Sequence, residues 1–274
     1  MEILNKTLVT GGGGVVASCI DFGVKLDRNN LDITNLEQVQ EVVQKMQPKI
    51  ILHLAALTDL TKCENDPALA YLVNSVGTYN LAFAAKKVGA KMIYVSTDAV
   101  FPHSKSPHVV DDEPSPESVY GHSKYLGELA VKGMSEDFVI ARTSWVFGGG
   151  KERDKKFVGK FIDQLEKPEA NAVDDQFSSP TYALDLVGTL KEFILNNKKG
   201  VFHLVNSGIA SRYDMALLIK DILKKETKIN AVPASTFGLS LHQLSSGGLV
   251  SSVDMRSWGD ALTEYLKTEW QNLK

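Results

Sequence analysis

The sequence predicts a doubly wound α/β protein, a parallel sheet followed by a smaller C-terminal lobe, on three observations. Short apolar runs alternate with helix-period segments over most of the chain, the pattern of strands joined by helical crossovers. The first run, Thr7-Leu8-Val9, enters four consecutive glycines, Gly11 to Gly14. A central run, Met92 to Val95, leads into Ser96-Thr97, ahead of Tyr120 and Lys124.

In chain order, Thr7 to Val9 reads as a strand and the glycines as a tight turn. Only Gly11 to Asp21 separate it from a second strand near Phe22 to Leu26. A parallel crossover takes about a dozen residues or more, so the first helix is predicted to be very short, Val15 to Cys19. Thr34-Asn35-Leu36-Glu37 reads as a capping box with Thr34 as cap. The helix it opens carries Leu36, Val39, Val42, Val43 and Met46 at helical spacing and stops at Pro48. Ile50 to Leu54 is a continuous apolar run, as in a strand buried on both faces. Asp66-Pro67 supplies an N-cap and a first-turn proline for a helix running to Lys87, with Gly89 beyond its end.

The alternation continues with a helix near Ser118 to Lys132, a strand near Phe138 to Ala141 and a helix near Phe157 to Leu165. A helix at Tyr182 to Leu195, a strand at Val201 to Leu204 and a helix around Tyr213 to Leu223 follow. Ser235 to Ser252 is rich in serine and glycine with weak periodicity, and a last helix spans Trp258 to Leu266. The predicted domains are 1–147 with 178–206, and a lobe of 148–177 with 207–274.

Composition narrows the function. The 274 residues carry a formal net charge of -3, which disfavours a nucleic-acid partner. No apolar run approaches the ~20 residues that span a bilayer, and the N-terminus lacks a signal-peptide layout. Two cysteines are too few for a disulfide framework, so a cytoplasmic location is expected. No histidine pair has metal-ligand spacing on one helix, so no metal is expected. His53 reads as a satisfied core residue; His103, His108, His122, His203 and His242 read as incidental, and Asp111-Asp112-Glu113 as a solvated turn.

Two motifs carry chemistry. Glycines between a strand and a helix let the backbone approach a pyrophosphate. At the end of the second strand, Asp27 could bond both ribose hydroxyls and favour NADH, or Arg28 could face a 2′-phosphate and favour NADPH; the sequence leaves both open. The second motif is Ser96 to Lys124. A carbonyl accepting hydride gains negative charge on oxygen and needs a nearby donor and a proton source. Tyr120 supplies the proton. Lys124, one turn along the same helix face, is expected to lower the phenol pKa and to bond the cofactor ribose. Thr97 donates to the substrate oxygen, and Ser96 lines the site.

Together these residues resemble the extended branch of the short-chain dehydrogenase/reductase superfamily, with its Rossmann-type sheet, and most of all the dTDP-4-dehydrorhamnose reductases. The similar segments are Gly11 to Ala17, Leu31-Asp32-Ile33-Thr34, His53 to Asp59 with Cys63-Glu64, Val73-Asn74, Ser96 to Phe101 and Val119 to Lys124. Arg142 to Gly148, Asp174-Asp175-Gln176 and Pro180-Thr181 extend the match. The chain differs in its short first helix, in Ala99 where the pattern has tyrosine, and in Ala234-Ser235-Thr236-Phe237 where it has Ala-x-Arg-Pro.

The resemblance implies reduction by NADPH or NADH of the C4 keto group of a nucleotide-linked 6-deoxy-4-keto sugar. The implied catalytic residues are Thr97, Tyr120 and Lys124. The implied cofactor contacts are Gly11, Gly13, Gly14, Val15, Asp27, Arg28, Asp32, Ile33, Leu54, Ala55, Ala56, Asn74, Tyr120 and Lys124. The substrate would meet Thr58, Ser96, Thr97 and Trp145. Two alternatives stand beside this: an epimerase or dehydratase of the same branch, and a non-catalytic NAD(P)-binding regulatory subunit. Asp98 is followed by alanine where dehydratases place a second acid, which favours reduction. The oligomeric state is open between monomer and homodimer.

Overall fold

A computed structural model describes residues 2–104, 107–238 and 247–270. Its central element is a six-stranded sheet of β1 (Thr7–Thr10), β2 (Val24–Leu26), β3 (Ile50–His53), β4 (Lys91–Thr97), β5 (Phe138–Thr143) and β6 (Gly200–His203). The spatial order is β6-β5-β4-β3-β1-β2. The pairs β1–β2, β1–β3 and β3–β4 are parallel, with Thr10 aligned to Leu26 and to His53. The order reverses direction beside β1, so the strand ends after β1 and β4 lie at the sheet's carboxyl edge, where doubly wound sheets bind ligands.

The chain divides into two compact units: Met1–Pro102 with Glu113–Arg142 and Val187–Phe202, and His103–Asp112 with Thr143–Leu186 and His203–Lys274. Residues 143–147, 178–186 and 203–206, expected in the first domain, therefore fall in the second unit, together with 103–112. Local pairing explains this. Val146–Phe147 pairs with Thr181–Tyr182, and Phe177–Ser178 with Ala210–Ser211. The His108 N–H bonds the Gly248 carbonyl at 2.9 Å.

In the first unit, Leu8, Val39, Val43, Ile51, Leu81, Met92, Tyr94 and Ile140 form one buried core between strands and helices. A short helix, Glu2–Asn5, precedes β1, and the first crossover helix is Val15–Ser18, one turn, as the short crossover requires. Lys25 secures it: its ammonium donates to the Ile20 carbonyl at 3.0 Å and the Ala17 carbonyl at 3.4 Å. Those carbonyls lie at and beyond the C-terminal end of the turn, where a cation is favourable.

Helix Leu36–Met46 is capped by Asn35, which accepts from Gln38 N–H at 3.1 Å, rather than by Thr34. The Thr34 hydroxyl is turned back onto Asp32 at 2.7 Å. A helix at Leu60–Asn65, capped by Asp59, was not anticipated. The helix expected from Asp66 to Lys87 is interrupted: Pro67–Tyr71 is α, Leu72–Val76 is one π turn, and Gly77–Val88 is α again, ending at Gly89.

The second unit has its own core, with Phe147, Val158, Phe161, Tyr182, Met215, Ile219, Leu262 and Tyr265. A parallel pair, Glu169–Val173 with Lys228–Val232, lies in a region where strands were not foreseen. Helices Phe157–Gln164, Arg212–Leu223 and Trp258–Glu269 stand close to expectation. His242 and residues 239–246 of the serine-glycine stretch lie outside the described residues.

Candidate active site

β4 crosses the middle of the sheet as Lys91-Met92-Ile93-Tyr94-Val95-Ser96-Thr97 and delivers Thr97 to its carboxyl end. A 3-10 turn, Asp98–Val100, follows at once, and Thr97 caps it by accepting from the Ala99 N–H at 3.2 Å. The Thr97 hydroxyl donates to Asp98 Oδ1 at 3.1 Å and lies near enough to the Tyr120 phenol to influence its titration. Beside it the Ser96 hydroxyl is buried without a hydrogen-bond partner.

Tyr120 and Lys124 ride on helix Val119–Met134. Ser118 caps it, accepting from Gly121 N–H at 3.0 Å, and Glu64 Oε1 accepts from Val119 N–H at 2.9 Å. Two glycines let this helix sit close. A Cβ at Gly121 would overlap the Ala99 carbonyl oxygen, and one at Gly127 would collide with the Tyr94 hydroxyl and the Asn74 carbonyl. The helix carrying Tyr120 can therefore lie against the turn that follows Thr97 because Gly121 has no side chain.

Asn74 locks the same helix to the β3 loop. Its amide nitrogen donates to Leu57 O at 3.0 Å and to Ser123 Oγ at 2.9 Å, and its Oδ1 accepts from Leu57 N–H at 2.8 Å. Ser123 in turn donates to the Tyr120 carbonyl at 2.8 Å. Expected as a cofactor contact, Asn74 is fully buried with both N–H donors engaged, and in this structure it positions the helix instead. It lies within the π turn, which inserts an extra residue into the helix, a distortion frequent at functional sites.

The electrostatics differ from the simple expectation. Burial raises the Tyr120 phenol far above its ordinary range; the nearby Thr97 hydroxyl offsets part of this, and the Asp98 and Cys63 charges add to it. Part of the Tyr120 surface remains accessible. Lys124 is not among the influences on Tyr120. Its ammonium donates to Val95 O at 2.8 Å and lies 4.0 Å from the Tyr94 ring centre. Burial pushes the Lys124 amine down to about 7, with Glu128 opposing the shift.

His53 is the satisfied core residue anticipated: its ring nitrogens bond Thr10 Oγ1 at 2.8 Å and Thr78 Oγ1 at 3.0 Å. Burial, then the Lys124 charge, hold it well below the usual imidazole range.

The glycine turn fits a dinucleotide. Gly11 has φ +73°, and a Cβ there would lie 2.7 Å from Ala55 N, so the turn is pressed onto Leu54-Ala55. Gly12 N–H donates to Leu26 O and Gly14 N–H to Gly11 O, both at 2.9 Å. Gly13 faces open space, with nothing within 4 Å of where its Cβ would be. Gly11, Gly13, Gly14, Val15, Leu54, Ala55 and Ala56 thus lie on two neighbouring loops, with an open approach at Gly13.

On the far side of the turn, Asp27 Oδ1 accepts from the N–H groups of Asn29 (2.9 Å) and Asn30 (3.2 Å), while Arg28 is exposed. The Asp32 carboxylate accepts from the Thr34 hydroxyl and N–H, which lowers its pKa. Ile33 is buried against Gly77. Thr58 is exposed on the β3 loop.

Trp145 belongs to the second unit. Its backbone is left-handed, φ +39°, a costly conformation for a bulky residue, and Arg212 stacks 3.4 Å from its ring centre. Sequence reasoning missed Gly121, Ser123, Glu128 and Arg142. Ser123 and Glu128 were legible only as helix-face neighbours of Tyr120 and Lys124.

This sheet, with a glycine turn after its first strand, a threonine at the end of its fourth and a tyrosine and lysine one turn apart on the helix that follows, defines the extended short-chain dehydrogenase/reductase class. Residues 5–269 match the RmlD substrate binding domain family, and the chain belongs to it. The spore coat polysaccharide biosynthesis protein SpsK of Bacillus subtilis is 32% identical, over 96% of this chain and 98% of its own length. The dTDP-4-dehydrorhamnose reductase of Mycolicibacterium smegmatis is 34% identical over 77% of this chain and 67% of its own.

Among solved structures, a dTDP-4-dehydrorhamnose reductase from Clostridium acetobutylicum superposes with a TM-score of 0.90 at 31% identity, covering 95% of this chain and 98% of the other. One from Bacillus anthracis, in complex with NADP, gives 0.88 at 30% identity with the same coverage.

Proposed function

We propose that this protein reduces the C4 keto group of a nucleotide-linked 6-deoxy-4-keto sugar with NADPH or NADH. The observation that carries the reading is Thr97 at the end of β4 beside a helix that carries Tyr120 and, one turn further along, Lys124, whose ammonium reaches Val95 O of the same strand. The relatives named dTDP-4-dehydrorhamnose reductase, one in complex with NADP, support the substrate class and the cofactor.

When bound, the nicotinamide supplies the hydride. The protein's own groups do the rest. Tyr120, with its raised pKa, keeps its proton at neutral pH and gives it to the carbonyl oxygen as negative charge builds there. Thr97 supplies a hydroxyl to the same oxygen. Lys124 holds the ribose side of the cofactor, and the open edge at Gly13 admits the pyrophosphate. Arg28, exposed beside an Asp27 already engaged in its turn, favours a 2′-phosphate and hence NADPH. Thr58, Ser96 and Trp145 are the proposed sugar contacts.

Cys19 and Cys63 are both free thiols, which fits a reducing cytoplasm, and no helix among the described residues is long and apolar enough to cross a membrane. Exposed Leu72, Val76 and Tyr79, with Leu126 and Leu129 on helix Val119–Met134, suit a homodimer through paired helices.

Tyr120→Phe tests the reading. NADPH oxidation by the keto sugar should fall by about 10²–10⁴-fold, while NADPH binding followed by fluorescence is retained. Undiminished turnover refutes it, and a wild-type protein that binds NADPH or NADH yet reduces no keto sugar points to the non-catalytic alternative.

A further inference from the structure

Behind the candidate site lies a buried ion pair that the proposed chemistry does not use. Arg142, at the end of β5, grips Glu128 of helix Val119–Met134 with two bonds: Nε to Oε1 at 3.0 Å and Nη2 to Oε2 at 2.8 Å. Arg142 is 2% exposed and Glu128 not at all. The third guanidinium nitrogen, Nη1, is buried without a partner, and the guanidinium carbon lies 4.9 Å from the Phe101 ring centre. Such a pair is a poor device for stability alone. Two buried charges lose their hydration, and an apolar replacement of similar volume is often as stable or more so. An orphaned N–H adds to the cost.

Its placement suggests a different use. Glu128 is four residues beyond Lys124 on the same helix, the spacing at which a carboxylate and an ammonium pair directly. Yet Lys124 makes no ion pair with it; its Nζ reaches forward to Val95 O, one residue before Ser96-Thr97. Both Glu128 oxygens are taken by the guanidinium fork, whose geometry matches a carboxylate at both points.

We propose that Arg142 is a positioning residue for the reaction: by saturating Glu128 it keeps that carboxylate off Lys124, so the lysine points to the end of β4 and remains able to gain and lose its proton. The inference rests on the role given to Lys124 above.

The other groups around Lys124 leave this task to Arg142. On β4, Tyr94 presents its ring to the ammonium and its hydroxyl to the Lys124 carbonyl at 3.4 Å. On β3, His53 is held neutral by burial. On its own helix, Tyr120 keeps its proton, and on helix Leu60–Asn65 so does Cys63, whose thiol burial pushes up to about 11. Asp98 accepts from Thr97. Glu128 is the carboxylate one turn from the lysine, and its charge opposes the depression of the Lys124 pKa.

The test is the titration of Lys124 itself, followed by NMR of the side-chain carbon and nitrogen in labelled protein and assigned with Lys124→Met. Arg142→Gln frees the carboxylate and removes a positive charge, so the Lys124 midpoint should rise by about one pH unit, a tenfold change in its protonation ratio. Glu128→Gln keeps the shape and a bond to Arg142 but removes the negative charge, so the midpoint should fall. Displacements in opposite directions support the proposal. No displacement, or displacement of both in the same direction, overturns it and leaves the pair a structural brace.

If Arg142→Gln does not fold, Arg142→Lys takes its place: it keeps the charge but loses the two-point grip on Glu128, so the Lys124 midpoint should rise, and an unchanged midpoint overturns the proposal. The pH profile of kcat/KM should follow the same midpoints. Opposite NMR shifts in the two variants, together with a wild-type protein that reduces no keto sugar, would refute the proposed function while leaving the positioning role intact.

Discussion

Gly121→Ala is predicted to damage this protein more than a one-carbon change suggests, and the expected size can be worked from the structure. The new Cβ would overlap the Ala99 carbonyl oxygen, with Pro116 Cβ at 3.1 Å on another side. Backbone cannot swing aside as a side chain can, so either helix Val119–Met134 or the Asp98–Val100 turn must shift. Overpacking of this kind costs about 1–3 kcal/mol, while replacing glycine by alanine inside a helix returns about 1 kcal/mol. The net cost is about 0–2 kcal/mol, a fall in melting temperature of up to about 8 °C for a chain of this size.

The effect on catalysis should be larger. The shift separates the helix carrying Tyr120 from the turn that Thr97 caps, and a misplacement of about 1 Å can cost about 10²-fold in rate. Gly133→Ala is the control: it lies on the same helix with nothing within 4 Å of its Cβ. It should leave kcat/KM unchanged and add up to about 1 kcal/mol of stability. The assay pairs thermal unfolding with NADPH-dependent turnover for both variants. Equal behaviour of the two alanines would refute the close-approach argument.

Two further outcomes follow from the same geometry. Gly11→Ala adds a Cβ at φ +73° and 2.7 Å from Ala55 N, so NADPH affinity by fluorescence titration should fall at least about tenfold, with unchanged affinity refuting the fit of the turn. Lys124 provides a pH signature. Its folded pKa, about 7, lies below the unfolded lysine value, so between about 7 and 10 the unfolded chain binds the extra proton and stability rises with pH. Below that window both states are protonated and the contribution is flat. Unfolding of Lys124→Met followed against pH should lack this rise, and parallel curves for the two proteins would count against a depressed lysine.

The sequence carried the order of elements because each left a local mark. The four-residue helix followed from counting eleven residues between two strands, and Gly89 marked the end of its helix as predicted. The signals that failed were ambiguous by one position or absent. Thr34 and Asn35 both make good caps, and only the Thr34–Asp32 bond shows why Asn35 took the role. The π turn at Leu72–Val76, which packs against helix Val119–Met134, leaves no pattern of its own in the sequence.

The candidate site divides the same way. Thr97, Tyr120 and Lys124 could be named from spacing, since a strand end and one helical turn fix their relative placement. Their protonation could not. Lys124 was expected to lower Tyr120, and the folded chain instead raises the phenol by burial and turns the ammonium onto Val95. Burial depends on what packs around a group, and Glu128 meets Arg142 only because β5 lies beside β4 in the sheet. The sequence by itself determined which reactive groups this protein carries and in what order. The tertiary structure decided how each is charged and which of them touch, because desolvation and ion pairing act between residues far apart in the chain.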